Sequence, residues 1–287
     1  MSRVLPILTV LGVITVLWYV AAVWMNATWV YDQAARANAA VDLRGLIRAT
    51  LTQERPVLPA PHQVAFGLWD GIAGQAITSK RSLVYHAWVT LSATLLGFLI
   101  GTTAGILLAI GIVHNRAMDM SVMPWAIASQ TIPILAIAPM IIVVLNSMGV
   151  QGLVPKAIIS AYLSFFPVVV GMVKGLRAPD AMQLDLMRTY NASGAETLGK
   201  LRLPSSLPYL FTSLKVGIAA SLVGTIVGEL PTGAVAGLGS RLLSGSYYGQ
   251  TVQIWAALFG AALVAASLVA IISMVERVTL RRMGMAR

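Results

Sequence analysis

The feature that most constrains this chain is a succession of apolar runs, each long enough to cross a lipid bilayer. About 20 helical residues rise through a hydrocarbon core of about 30 Å. Such runs occupy residues 4–24, 87–113, about 120–145, 153–173 and 252–275. A sixth, about 212–230, is partly masked by Lys215 near its start, from where a lysine reaches the interface with its charge in water. The expected fold class is all-α: a polytopic membrane protein with about six transmembrane helices. Composition agrees, because only 10% of residues are charged while 57% are hydrophobic, with a mean hydropathy of +0.81. A soluble domain carries about 25% charged residues, and fewer cannot clothe a water-facing surface.

The first run has the place of a signal peptide, whose apolar region is usually about 7–15 residues. It is longer than that and ends in Trp18, Tyr19 and Trp24, residues suited to a membrane interface. A retained helix is expected. The segment from 25 to 82 is more polar. Its first half is rich in helix formers and lacks proline, which reads as an interfacial or solvated helix. The sequence LPAP at 58–61 then forces extended backbone, since proline restricts itself and the residue before it. The expected organisation is an N-terminal helix and long outer or interfacial loop over 1–83, then a transmembrane core over 84–282. A cytoplasmic loop at about 177–206 belongs to that core.

The formal net charge is +10. Nucleic-acid binding would gather such charge on a polar domain, whereas here it lies between apolar runs, as the positive-inside rule produces. Nucleic acid is excluded as a partner, and lipid is implied. Six spans place both termini on one side. With that side cytoplasmic, it carries Arg3, Arg116, Lys174, Arg177, Arg188, Lys200, Arg202, Lys215, Arg277, Arg281, Arg282 and Arg287, twelve in all. Outside the long first loop the other side carries two, Lys156 and Arg241. Long loops largely escape the charge rule, so both termini are expected in the cytoplasm.

The absence of cysteine removes disulfide and thiolate chemistry. His62, His86 and His114 are far apart and lack carboxylates at ligand spacing, so no metal site is expected. No nucleophile or acid–base constellation is present either, so no catalytic residue is assigned.

Glycines recur at four-residue steps: Gly97, Gly101 and Gly105; Gly171 and Gly175; Gly224 and Gly228. Small-residue faces let helix backbones approach closely in lipid, either within one bundle or at a subunit interface. The third run carries Pro124, Pro133 and Pro139, which should bend or interrupt it. Broken helices at membrane depth sit beside protein or a water-filled path. Pro133, Pro139, Gln130, Asn146 and Ser164 are therefore candidate path residues, although single amides and hydroxyls also bond neighbouring helices. Glu229, at the outer end of the fifth run, reads as an outer gate or a helix-end contact rather than a proton relay.

The one sizeable polar segment on the cytoplasmic side is DLMRTYNASGAETLGKLRLP, residues 185–204. Without His, Cys or paired carboxylates it is suited to docking rather than catalysis. Within it, Gly194 to Lys200 has the spacing of a phosphate-binding P-loop, but Leu201 stands where Ser or Thr must ligate Mg²⁺, and no strand precedes it. That match is rejected.

The same segment resembles the cytoplasmic loop of binding-protein-dependent ABC importer permeases, written E-A-A, three residues, G, nine residues, I, one residue, L-P. Aligned without a gap, Asp185, Leu186 and Met187 take the E-A-A positions, Asn191 the Gly, Leu201 the Ile, and Leu203 and Pro204 the L-P. Ala192 and Ser193 resemble the small pair after the glycine. Asn for Gly is the most telling departure, since Asn is the next most tolerant residue of left-handed backbone; Gly194 is expected to share that duty. LPAP at 58–61, TIPILAIAP at 131–139, SFFPVVVGMVKGL at 164–176 and GELPTGAVAGLGSRL at 228–242 resemble the nitrate/sulfonate/taurine-type branch. The likeness covers about residues 58 to 282.

The resemblance implies the permease fold of ABC type I importers in a bacterial inner membrane, taking a small polar solute inward. It implies separate ABC ATPase subunits that hold ATP and Mg, a periplasmic solute-binding protein, and a second permease subunit, identical or paralogous. No cofactor is implied in this chain. The loop residues above, with Tyr190 and Gly194, are implied to seat the ATPase, and 231–250 and 58–74 to face the binding protein. An ion-coupled secondary transporter is the competing class; it typically has repeat halves and buried coupling carboxylates.

Overall fold

The computed structural model describes residues 4–231 and 236–285. Part of the expected outer connection 231–250, namely 232–235, lies outside the described residues. The described elements are α1 (Val4–Arg36), α2 (Leu43–Leu51), α3 (Pro61–Trp69, running into a π-helical turn, Asp70–Gly74), α4 (Leu83–His114), α5 (Arg116–Ser129) and α6 (Ile134–Ser147). They continue with α7 (Leu153–Leu176), α8 (Ala181–Thr189), α9 (Gly194–Thr197, followed by a π-helical turn, Leu198–Arg202), α10 (Leu203–Glu229), α11 (Leu238–Tyr247) and α12 (Thr251–Arg282). No strand occurs among the described residues.

Five helical stretches are long and apolar enough to cross a membrane: Leu5–Arg36, Leu83–His114, Leu153–Leu176, Gly194–Glu229 and Thr251–Arg282. The pair α5 and α6 makes a sixth as a broken span, bent by 98°. The break falls where the prolines led us to expect one. Pro133 stands immediately before α6 in an extended conformation, φ −65° and ψ 115°, while Pro124 and Pro139 lie inside their helices.

Two boundaries differ from the sequence reading. The first helix runs on to Arg36 instead of ending near Trp24, and Asn38, in the left-handed region at φ 49°, follows it. A separate helix, α2, then starts at Asp42, whose carboxylate accepts from Gly45 N at 2.9 Å. The fifth span starts well before Thr212: α10 opens at Leu203 and continues a helical stretch that begins at Gly194. Lys215 is also more than a snorkelling residue: its Nζ lies 2.7 Å from Glu276 Oε2 of α12.

The chain divides into two compact units, Met1–His86 with Ser240–Ala261, and Ala87–Gly239 with Ala262–Arg287. In the first, Asn26 of α1 is buried and holds the extended segment before α3. Its Oδ1 accepts from Val57 N at 2.7 Å and its Nδ2 donates to Leu58 O at 2.9 Å. Trp18 of α1 stacks on Phe259 of α12 and donates from Nε1 to Pro59 O. An apolar helix thus carries one amide that satisfies the backbone LPAP leaves unpaired.

In the second unit α7 is the central element. Val168, Val169, Met172, Val173 and Leu176 bury against Ala109 and Ile112 of α4. The glycine steps resolve as packing within the chain. A Cβ on Gly97 of α4 would stand 2.5 Å from Ala157 O of α7, and one on Gly101 would strike Ser164. On α7 the equivalents at Gly171 and Gly175 would meet Ser213 and Ser206 of α10. Between these close backbones, Ser160 Oγ donates to Ser221 O at 2.9 Å, Ser221 Oγ to Thr94 O at 3.0 Å, and Thr94 Oγ1 to Thr225 Oγ1 at 3.0 Å. Where lipid offers no hydrophobic drive, close packing and such bonds hold helices together.

Candidate functional site

Two constructions in the second unit carry the residues singled out by sequence. One is the polar loop between α7 and α10; the other is a carboxylate buried at the end of α10.

The loop is built from consecutive caps. Asp180 opens α8: its Oδ1 accepts from Gln183 N at 2.7 Å, and its own N–H donates back to Gln183 Oε1 at 3.2 Å. The helix closes through Asn191, which is left-handed at φ 49°. Asn191 N donates to Arg188 O at 2.8 Å and Ala192 N to Met187 O at 2.9 Å, the paired bonds of a Schellman stop. Asn191 therefore supplies the left-handed residue that glycine most often supplies at such a stop. Gly194 does not share that duty, because it is absent from the residues with positive φ and forms the first residue of α9. Ser193 caps α9, accepting from Glu196 N at 3.2 Å while Ser193 N donates to Glu196 Oε2 at 2.9 Å.

The faces of this loop differ. Leu203 and Leu198 pack against the α4–α7 core, and Arg202 Nη1 donates to Leu176 O at 3.3 Å. Leu201, Met187, Ala192 and Pro204 are half-buried. Asp185 is exposed and pairs with Arg188 at 2.9 Å, and Gly194 is exposed with open space around its Cα. Met182, Leu186 and Tyr190 are exposed by 79, 56 and 78%. Four-residue spacing sets these three on one side of α8, as an apolar stripe with no cover from the chain.

Glu229 is fully buried. Its carboxylate accepts from Thr90 Oγ1 of α4 at 2.9 Å and from Gly239 N of α11 at 2.7 Å, and Lys156 Nζ of α7 lies 3.9 Å away. Leu238 N donates to Thr90 Oγ1 at 2.8 Å, and Lys156 Nζ to Ala236 O at 3.4 Å. Four helices and the connection after α10 thus meet at one buried acid. Gly237, at φ 130°, passes so close that any Cβ there would strike the carboxylate. Lys156, Thr90 and Gly239 escaped the sequence reading, which counted Lys156 on the outer side at the start of the run 153–173 without assigning it a role. One signal was present: a lysine one turn inside an apolar run needs a counter-charge.

The remaining candidates separate. Gln130, Pro133, Pro139 and Asn146 are exposed along α5 and α6, whereas Ser164 is buried and donates to Ala161 O of its own helix at 3.2 Å. No group of three or more metal-ligating side chains occurs among the described residues.

Residues 101–285 match the profile of the family described as binding-protein-dependent transport system inner membrane component. Among similar proteins is a probable ABC transporter permease protein of Haemophilus influenzae, 31% identical over 69% of this chain and 78% of the relative. A riboflavin transport system permease protein of Chloroflexus aurantiacus is 29% identical over 78% of this chain and 80% of its own. A putative aliphatic sulfonates transport permease protein of Bacillus subtilis is 23% identical over 83 and 80%.

Proposed function

Since the chain belongs to the family of binding-protein-dependent inner membrane transport components and is a permease subunit of an ABC importer, we propose that α8 and the turn after it are the surface on which a separate ATPase drives it. The observation that carries this reading is the apolar stripe of Met182, Leu186 and Tyr190. Exposed on a helix with charged neighbours, it has the form of a helix laid into a partner's groove. Asn191, Ala192, Ser193 and Gly194 bring backbone to the same surface, with Asp185 orienting the helix, Leu201 and Met187 flanking it, and Leu203 and Pro204 anchoring it to α10.

ATP and Mg are held by that partner, and this chain contributes motion rather than hydrolysis. The distribution of Lys and Arg supports a cytoplasmic loop, both termini in the cytoplasm, and an inner-membrane setting. A second permease subunit completes the path, and a periplasmic binding protein delivers a small polar solute to the opposite face, against 58–74 and 231–250. Gln130, Pro133, Pro139 and Asn146, exposed along the broken span, are assigned to the path. Ser164 and Glu229 act from within the bundle, Glu229 by holding the outer connection in place as part of a gate. Family membership sets aside an ion-coupled secondary transporter.

The test is co-purification of the full chain with its ATPase from membranes. Met182→Asp with Leu186→Asp should lose the ATPase while the permease stays inserted and monodisperse. Retention of the ATPase at wild-type stoichiometry would refute the docking assignment.

A further inference from the structure

The first unit holds a cavity of about 620 Å³ that neither the loop nor the buried acid touches. Its walls come from the end of α3 and its π-helical turn, the segment before α4, Arg241 of α11 and the first turns of α12. The charged groups lining it are Arg55, Arg81 and Arg241 against Glu54 and Asp70.

Among the described residues no ion pair joins any of these arginines to a carboxylate. Asp70 accepts from Gln75, whose Nε2 donates to Oδ2 at 3.2 Å. Arg241 Nε is buried without a hydrogen-bond partner among the described residues. Burial, and after it the charge of Arg81, hold the Arg241 guanidinium below its ordinary pKa, so a half-buried cation faces an exposed one across the cavity. An unmet guanidinium N–H is costly when buried, and the three arginines outnumber the two carboxylates of the lining. An oxyanion in the cavity offsets that excess of positive charge, and its oxygens match the planar N–H fork of arginine.

We propose that this cavity binds the oxyanion head of a small molecule, a sulfonate, phosphate or carboxylate group, through Arg55, Arg81 and Arg241. The volume falls within the range of about 300–1,000 Å³ typical of small-molecule sites. It leaves room for an organic body beyond the head, with Gln250 as a neutral polar contact. The head group belongs either to a free solute or to an anionic lipid. Binding requires neither the ATPase nor the binding protein, so the site stands or falls separately from the docking role of α8.

The experiment is equilibrium dialysis of the purified full-length chain in uncharged detergent against radiolabelled sulfate, with ionic strength held constant by chloride. Saturable binding of one sulfate per chain is expected, weakened at least tenfold by Arg241→Gln and by Arg81→Gln. Arg36→Gln, in the last turn of α1 and away from the cavity, should bind as the wild type does. Arg81 is exposed, so its substitution reports even where Arg241→Gln fails to fold. A second arm places the same proteins in phosphatidylglycerol or phosphatidylcholine nanodiscs. Phosphatidylglycerol retained through purification by the wild type and lost from Arg81→Gln supports the site and identifies the head group as lipid phosphate. No sulfate or phosphatidylglycerol binding by the wild type would overturn it. So would binding that survives both substitutions, or occupancy by an acidic protein partner alone.

Discussion

The polar loop between α7 and α10 and the buried acid belong to the same unit, yet they are stabilised in opposite ways. In the loop every capping bond joins residues three to five apart, as in Gln183 to Asp180 and Ala192 to Met187. Around Glu229 the partners lie 139 residues away at Thr90, and Lys156 reaches 80 residues to Ala236. Local bonds let the loop hold its own shape while leaving the apolar face of Met182, Leu186 and Tyr190 exposed. Distant bonds make the acid a junction of α4, α7, α10 and α11, so that loss at one point is felt in all of them. The loop is self-contained, and the junction that holds the bundle is shared.

The sharpest way to break this comparison is Glu229→Ala. It leaves the Lys156 charge without its counter-charge and the Gly239 N–H without its acceptor, and removal of one partner from a buried pair costs about 3–5 kcal/mol. Denaturation of the purified chain in detergent should show that loss. Glu229→Gln, which keeps the shape and one acceptor oxygen, should lose less. A Glu229→Ala chain as stable as wild type would mean that the acid is not a junction at all.

Next in size is Gly97→Leu. A side chain there must displace the Ala157 carbonyl on α7, and overpacking of this kind costs about 1–3 kcal/mol. The measurement is again a denaturation midpoint, with protein level in the membrane as a second readout. The effect should be confined to helix packing, leaving the conformation of the loop unchanged.

The same contrast explains how much was legible in the sequence. Apolar run length gave the spans, and Pro133 gave the break in the third, because each is a property of neighbouring residues. Asn191 was readable as a left-handed stop for the same reason. The Glu229 junction was not: Lys156 inside an apolar run signalled a need for a counter-charge, but nothing local identified Glu229 as that distant partner or Thr90 as another of its partners. Nor was the extent of α1, whose last turns are set by where Asn38 reverses the backbone rather than by hydropathy. The pairing of Lys215 with Glu276 failed to show for a related reason, since each lies in a different span. The arginines of the cavity were visible only as charges in a long loop, and folding brought Arg241 to them from 160 residues beyond Arg81.

Within the loop, Asn191→Ala should cost about 1–2 kcal/mol locally, the penalty of a Cβ-bearing residue without Asn's side-chain bonding in left-handed backbone. Asn191→Gly should be close to neutral. Hydrogen exchange of the Ala192 and Asn191 amides reads this directly, since both are bonded only through the Schellman turn. Equal exchange in the Ala and Gly variants would show that the turn is held by something other than φ at this residue.

The smallest expected effect on stability is at Gly194. No heavy atom outside its own neighbourhood lies within 4 Å of a Cβ placed there, and its φ is not in the left-handed region. Gly194→Ala should therefore stay within about 0.5 kcal/mol of the wild type, as exposed positions usually do. Gly194→Glu should be equally well folded, because the added carboxylate points into open space. If α8 and its turn seat an ATPase, however, that bulk and charge fall where the partner must approach. Solute uptake should then be lost in Gly194→Glu and kept in Gly194→Ala, with both denaturing as wild type does. Normal uptake by the Glu variant would leave the loop a self-contained structure without the docking role, and would remove the functional half of the comparison while keeping its structural half.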